Sequence, residues 1–211
     1  MTMSTRLTTL LLALLFGGCS RSAVRAGASE TRGVGGFSEI AVAGAFHVAI
    51  TVGPLASLRI TAPADVLPHV VTTVEGGRLR IALDGSVRDV GGPLEATVTL
   101  PALTGLELSG ASHATVENVG GPRLRVIASG ASHVTLHGRV GQLDVELSGA
   151  SSLDGASAHK LQLGASGASR VEATVDGDLA VDLAGASRAR ITGHPRIVTR
   201  EIGGVSTLEL P

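Results

Sequence analysis

The chain has 211 residues, a formal charge of −1 and an apolar content of 44%, with no Trp or Tyr and only three Phe. Near-neutral charge without a basic stripe, and without rings to stack on bases, argues against a nucleic-acid partner. The single Cys rules out an internal disulfide and a CxxC metal site. A core made almost wholly of Ala, Val, Leu and Ile must be filled by many small contacts, which stacked thin layers supply better than one globular centre.

In chain order, Arg6 precedes an apolar run at residues 7–16 that is too short to span a bilayer and reads as an export signal over residues 1–18. It runs into Leu14-Leu15-Phe16-Gly17-Gly18-Cys19-Ser20. This resembles a bacterial lipoprotein signal, in which small residues lead to a Cys that is diacylated and becomes the new N-terminus. Phe16 departs from the usual Leu three positions before the Cys, so an ordinary signal peptide with an incidental Cys is the alternative. Lipidation would explain why Cys19 is the only Cys, and Ser20 after it resembles the outer-membrane form of such signals. Residues 19–32 are small, polar and aperiodic, as expected of a lipid-anchored tether. The expected location is therefore outside the cytoplasm, at the outer membrane, periplasm or cell surface, with the membrane as one partner.

Residues 33–103 carry short β-like runs at 37–42, 46–52, 58–62, 70–74, 79–83 and 96–100. Turn signals separate them at Gly53-Pro54, Glu75-Gly76-Gly77 and Gly91-Gly92-Pro93. Residues 64–69 could form one helical turn. This stretch reads as an N-terminal β-subdomain that caps and continues the stack formed by residues 104–211.

Residues 104–211 are a repeat. Ser109-Gly110-Ala111-Ser112 recurs at Gly130, Gly149 and Gly167, then as Ala184-Gly185-Ala186-Ser187 and Gly203-Gly204-Val205-Ser206, with glycines 18 to 20 residues apart. Alternating runs flank each copy, for example Leu143/Val145/Leu147 before Gly149 and Val171/Ala173 after Gly167, and period two means strand. A Gly between two short strands marks a corner where a side chain would clash or positive φ is needed. Each repeat is thus strand, corner, strand and polar turn. Such a unit buries its apolar face only by stacking on its neighbours, about 4.8 Å apart. The predicted fold is all-β, a right-handed, parallel β-helix-like β-solenoid of Gly-Ala-Ser repeats; an up-and-down barrel would not need one motif repeated in register. Arg200 falls where earlier repeats place Val181 and Leu163, so residues 197–211 should end the stack.

The segments Gly36-Phe37-Ser38-Glu39-Ile40-Ala41-Val42, Phe46-His47-Val48-Ala49-Ile50 and Val74-Glu75-Gly76-Gly77-Arg78-Leu79-Arg80-Ile81, followed by Val98-Thr99-Leu100-Pro101-Ala102-Leu103 and the Ser-Gly-Ala-Ser copies, resemble the auto-transporter adhesin head GIN domain family. The resemblance covers residues 33–211 and rests on the order of these segments. It implies an all-β, solenoid-like protein of bacterial envelopes, and it carries no catalytic set across.

Three groups of residues are candidates for chemistry. Ser112, Ser132, Ser151, Ser169 and Ser187, with Ser206, should align into a hydroxyl ladder. Such a ladder could bind a glycan, although small hydroxyls that bond to the backbone at a tight corner explain Gly, Ala and Ser together. His113 and His133 should stack on an exposed face, but the following rungs offer Ser152, Arg170 and Arg188, so no metal site and no cofactor are expected. Glu146 and Asp182 fall on one outward row with Gly164 between them, and they are the best acids for a carbohydrate-active enzyme. No sugar-stacking aromatic accompanies them, and GxSxG, HExxH and P-loop motifs are absent. The sequence therefore reads as a non-catalytic, adhesin-like envelope module for a glycan or an envelope protein. A β-helix enzyme and an architectural spacer are the alternatives.

Overall fold

A computed structural model describes residues 27–211 except residue 88. The export signal, Cys19 and the first part of the expected tether lie outside the described residues. Apart from one turn of 3-10 helix at Leu67–His69, the described secondary structure is all strand. The first half supplies β1 (Gly27–Arg32), β2 (Glu39–Gly44), β3 (Phe46–Val52), β4 (Ser57–Pro63), β5 (Val70–Glu75), β6 (Arg78–Leu83) and β7 (Leu94–Leu100). Then come β8 (Gly105–Gly110), β9 (His113–Val119), β10 (Arg123–Ala128), β11 (His133–Leu147) and β12 (Ser152–Ala165). The chain ends with β13 (Arg170–Val175), β14 (Asp178–Leu183), β15 (Arg188–Gly193), β16 (Arg196–Ile202) and β17 (Thr207–Glu209). All of them join one curled sheet.

The period-two pattern turns one side of each strand inward, and residues one repeat apart pair in parallel register. One ladder runs β6, β2, β8, β10, the C-terminal part of β11, the C-terminal part of β12, β14 and β16. The other runs β7, β3, β9, the N-terminal part of β11, the N-terminal part of β12, β13, β15 and β17. The inward rows become continuous apolar lines. Leu79, Ile40, Leu106, Val126, Val145, Leu163 and Val181 succeed one another on the first ladder, all buried. Ala96, Val48, Ala114, Val134, Leu153, Val171 and Ala189 do so on the second. Each buried Val, Leu or Ile contributes roughly 1.5–3 kcal/mol relative to exposure, which offsets the ordering of thin coils only because neighbours cover both sides.

The corner between the ladders repeats as closely as the core. Gly44, Gly110, Gly130, Gly149, Gly167, Gly185 and Gly204 all have positive φ. A Cβ on any of the last six would lie 2.3–2.6 Å from the carbonyl oxygen of the preceding corner glycine. That approach lets the next residue's N–H donate to the same oxygen, as Ala150 does to Gly130 and Ala168 to Gly149, both at 2.7 Å.

Several expectations change. The tether read over residues 19–32 gives way at Gly27, where β1 pairs antiparallel with β4 from Gly27↔Pro63 to Arg32↔Leu58. This segment carries no strand signal because it lies over a sheet edge with no apolar face to bury. The polar turn expected in every repeat is bridged in two of them. β11 and β12 run through it, bending at Gly138 and Gly155, which both have positive φ, while Arg139↔Ser157 and Val140↔Ala158 stay paired. The coils of the first half are also out of sequence order: β2 and β3 lie between β6 and β7 on one side and β8 and β9 on the other. At the far end Arg200 pairs with Val181 and is exposed, as a charge on an inward row must be.

Candidate functional site

The serine ladder is internal, which corrects its reading as a binding surface. Ser112, Ser132, Ser151, Ser169 and Ser187 are only 1–2% exposed. Each hydroxyl donates to the carbonyl three residues back: Ser132 to Ser129 at 2.8 Å, Ser151 to Ser148 at 2.9 Å, Ser169 to Ser166 at 2.8 Å and Ser187 to Ala184 at 2.9 Å. Ser112 donates to Ser109 and Gly44 carbonyls, both at 3.2 Å. The corner exposes Gly and Ala and turns these five Ser inward, so none of their hydroxyls is presented to a ligand. Ser206 on the last coil instead bonds to the Gly185 carbonyl.

The histidines lie on the outer face, where the alternation places them. His113 and His133 are register partners with ring centroids 4.4 Å apart and stacked. His47, on the coil before, extends the row, with its ring centroid 5.9 Å from that of His113. The repeat motif did not reveal His47, because Phe46 stands in its coil where Ser112 and Ser132 stand in theirs. The sequence signal was Gly44-Ala45 followed by an aromatic and then His, the spacing of Gly110 to His113. Burial, then the charges of His133 and His47, hold His113 below the ordinary imidazole value of 6.5. The Nδ1 of His133 contacts the Ser152 hydroxyl, and its Nε2 lies 3.2 Å from the Thr135 hydroxyl and 3.5 Å from an Asp154 carboxylate oxygen. Stacked rings keep their nitrogen lone pairs in parallel planes, and no group of three ligand-type side chains among the described residues could hold a metal ion.

On the opposite ladder, Glu146, Gly164, Asp182 and Glu201 form one outward row beside Asp144. With Gly164 as the gap, they line an open groove of about 420 Å³. The Glu146 carboxylate is engaged by Arg125 at 2.8 Å, and Asp144 accepts from Gln142 at 2.7 Å with Arg123 at 3.5 Å. Surface pairs of this kind place charge without fixing a proton donor opposite an acceptor.

A Ser-His-Asp cluster that the sequence did not suggest sits on the loop after β6. Asp84 contacts His69 Nδ1 at 2.9 Å, and the Ser86 hydroxyl lies 3.0 Å from the same nitrogen and 2.5 Å from Asp84. Hydrogen bonds from Ser86, then from His69, hold the Asp84 carboxyl at about 2. Hydrolytic triads set the serine on one ring nitrogen and the acid on the other. Here both sit on Nδ1 and the serine donates to the aspartate, an arrangement that closes the loop.

These features define a class: an all-β protein whose repeated strands bury small aliphatics and present long, regular polar rows outward. Over residues 36–195 the sequence matches the family described as "Putative auto-transporter adhesin, head GIN domain", and the chain belongs to that family. Its fold is similar to that of a solved protein described as a putative adhesin from Bacteroides fragilis, with a TM-score of 0.73 and 17% identity over 88% of this chain and 97% of that one. It also resembles a Parabacteroides distasonis protein described as a putative lipid binding protein, with a TM-score of 0.56 and 13% identity over 88% of this chain and 96% of that one. A third is described as a putative adhesin from Parabacteroides merdae, with a TM-score of 0.55 and 12% identity over 88% and 96%. A comparison with curated proteins gives no match.

Proposed function

We propose that this protein is a non-catalytic, adhesin-like binding module of the bacterial envelope, held to the membrane by a lipid on Cys19. Membership of the adhesin-head family carries the reading. The outward rows agree with it, since they offer polar groups at a constant spacing to an extended partner. Residues 104–211 are read as a right-handed β-solenoid, the hand that parallel crossovers strongly favour, and residues 33–103 as the subdomain that continues and caps it. The aliphatic rows are buried between the ladders, so a partner is met on the outer faces.

The test is a screen of the full-length chain, purified in detergent, on arrays of glycans and envelope proteins. Saturable binding to a defined member of either set is the expected result, and absence of any binding would reduce the protein to a spacer. The same preparation is incubated with bacterial and plant polysaccharides and assayed for new reducing ends and unsaturated products. Turnover abolished by Glu146→Gln or Asp182→Asn would replace the binding reading with an enzymatic one.

A further inference from the structure

Across the second ladder, one outward row consists of Glu95, His47, His113, His133, Ser152, Arg170 and Arg188 as successive register partners. The strands are about 4.8 Å apart, so from His47 onward this row is a straight line of cationic or protonatable groups interrupted once, by a hydroxyl. Like charges directly opposite each other destabilise a sheet, yet Arg170 and Arg188 are neighbours and both are exposed. Neither guanidinium makes a hydrogen bond or ion pair with a described side chain, in contrast to Arg190, which engages Glu209 at 2.9 Å. The three imidazoles likewise succeed one another; His133 lies 3.5 Å from the Asp154 carboxylate, and His47 has Glu95 as its register partner on the other side.

We propose that this row binds a linear acidic polysaccharide with one carboxylate per saccharide, and that the complex tightens as the three histidines protonate. The proposal rests on the binding reading and names its ligand class. A polymer of uronic acids advances per saccharide by a distance close to the spacing between strands and turns neighbouring carboxylates to different sides, so the carboxylates that face the sheet can meet rungs two or three apart along the row. The row has no Phe, Tyr or Trp to stack on bases, its imidazoles stack on one another, and it has no apolar side chain to enter a membrane. The Ser152 hydroxyl lies between the histidine and arginine segments, where a sugar hydroxyl would pass.

The surrounding charges explain why protonation controls the row. Around it, Arg59, Arg170, Arg188 and Arg190 are offset by Glu95, Asp154, Glu172 and Glu209 on the same and the neighbouring outward rows. The next position outward holds a Glu117–His137 pair at 3.8 Å. With neutral imidazoles the four arginines and four acids of these two rows balance, and Glu117 adds one negative charge beyond them. Protonating His47, His113 and His133 makes it cationic along one line. Burial and its two neighbours keep His113 neutral to a lower pH than an isolated imidazole. A bound carboxylate favours the protonated ring, so binding takes up protons and affinity rises as pH falls through and below the imidazole range.

The experiment titrates the full-length chain in detergent with polygalacturonate, whose carboxylates stay ionised at pH 5, and with uncharged dextran, at pH 5.0 and pH 7.5. Polygalacturonate should bind about tenfold or more tightly at the lower pH, and dextran at neither. The variant His47→Gln/His113→Gln/His133→Gln should lose the pH dependence while retaining weak binding, and Arg170→Gln/Arg188→Gln should weaken binding at both pH values. All five positions are on the surface, and far-UV circular dichroism of each variant should match the parent. No binding of polygalacturonate at pH 5.0, or binding unchanged by both variants, overturns the proposal. Equal affinity for duplex DNA or for vesicles rich in anionic lipid overturns it too, as general polyanion attraction. If polygalacturonate fails while the arrays yield another ligand, this inference falls and the binding reading stands.

Discussion

From Gly110 onward each corner is a joint between a glycine with no space for a side chain and a serine two residues later. A glycine at positive φ brings its carbonyl under the next coil, and a Cβ on Gly149 would lie 2.4 Å from the Gly130 oxygen. Two residues later the buried Ser151 turns inward and its hydroxyl donates to the Ser148 carbonyl, so the buried hydroxyl has a partner. We expect Gly149→Val to destabilise the protein by about 2 kcal/mol or more, because it combines a β-branched residue at positive φ with a backbone clash that no rotamer relieves. Asp182→Asn, on an exposed outward position, should stay within about 0.5 kcal/mol. Denaturant unfolding of both variants checks this, and equal losses would mean that corner and outer face had been confused. Ser152 is a poor control for this comparison. It looks like a free surface position in the sequence, but its hydroxyl is engaged by His133.

Strands at the two ends of a stack face water with unpaired backbone groups, and the ends are treated differently. At the N-terminal end β5 turns antiparallel onto β6, β4 onto β7, and the polar strand β1 covers β4. Arg32 fastens this cover: its guanidinium donates to the Val70 carbonyl at 2.5 Å, the Leu67 carbonyl at 3.3 Å and the Thr72 hydroxyl at 3.0 Å, and it pairs with Glu30 at 3.0 Å. Arg32→Ala should therefore cost about 2 kcal/mol through lost charge-assisted bonds to backbone carbonyls. Hydrogen exchange should show β1 opening before the interior strands, and protection of β1 in the variant equal to wild type would contradict this role. The C-terminal end has no antiparallel cover among the described residues. Arg200 takes the inward position of β16, while Ile197, Val198 and Ile202 are exposed beside it.

At the scale of the molecule, the insertion between β3 and β8 sets the geometry. After making one coil as β2 and β3, the chain doubles back to build β6 and β7 on one side of it, then crosses to start β8 on the other. The core is unbroken because the inward rows of β6 and β7 match those of β2 and β3 residue for residue. The covering strand β1 lies at this same end and comes directly after the segment that carries Cys19. If Cys19 is acylated, the wild-type protein should partition into detergent on phase separation and Cys19→Ala should move to the aqueous phase. Wild-type protein found wholly in the aqueous phase would remove the lipid anchor from the proposed function.

The repeat was legible in the sequence because stacking makes every coil solve the same local problem. The glycines of the corner, the alternating Leu and Val beside it and the misplaced Arg200 all arise from one residue's needs and its neighbours two positions away. The stacking of His113 on His133 was legible for the same reason. Four features were not. β1 carries no apolar period, since it pairs by backbone alone. The coil of β2 and β3 hides its corner behind Phe46. The inward turn of Ser112, Ser132, Ser151, Ser169 and Ser187 depends on where the corner closes against the coil below. The meeting of His47 with His113 depends on which coil stacks on which across an insertion. Period and composition fix what one coil looks like, because those are contacts along the chain. The order of the coils and the rows that cross them are contacts between distant segments, and only tertiary packing decides those.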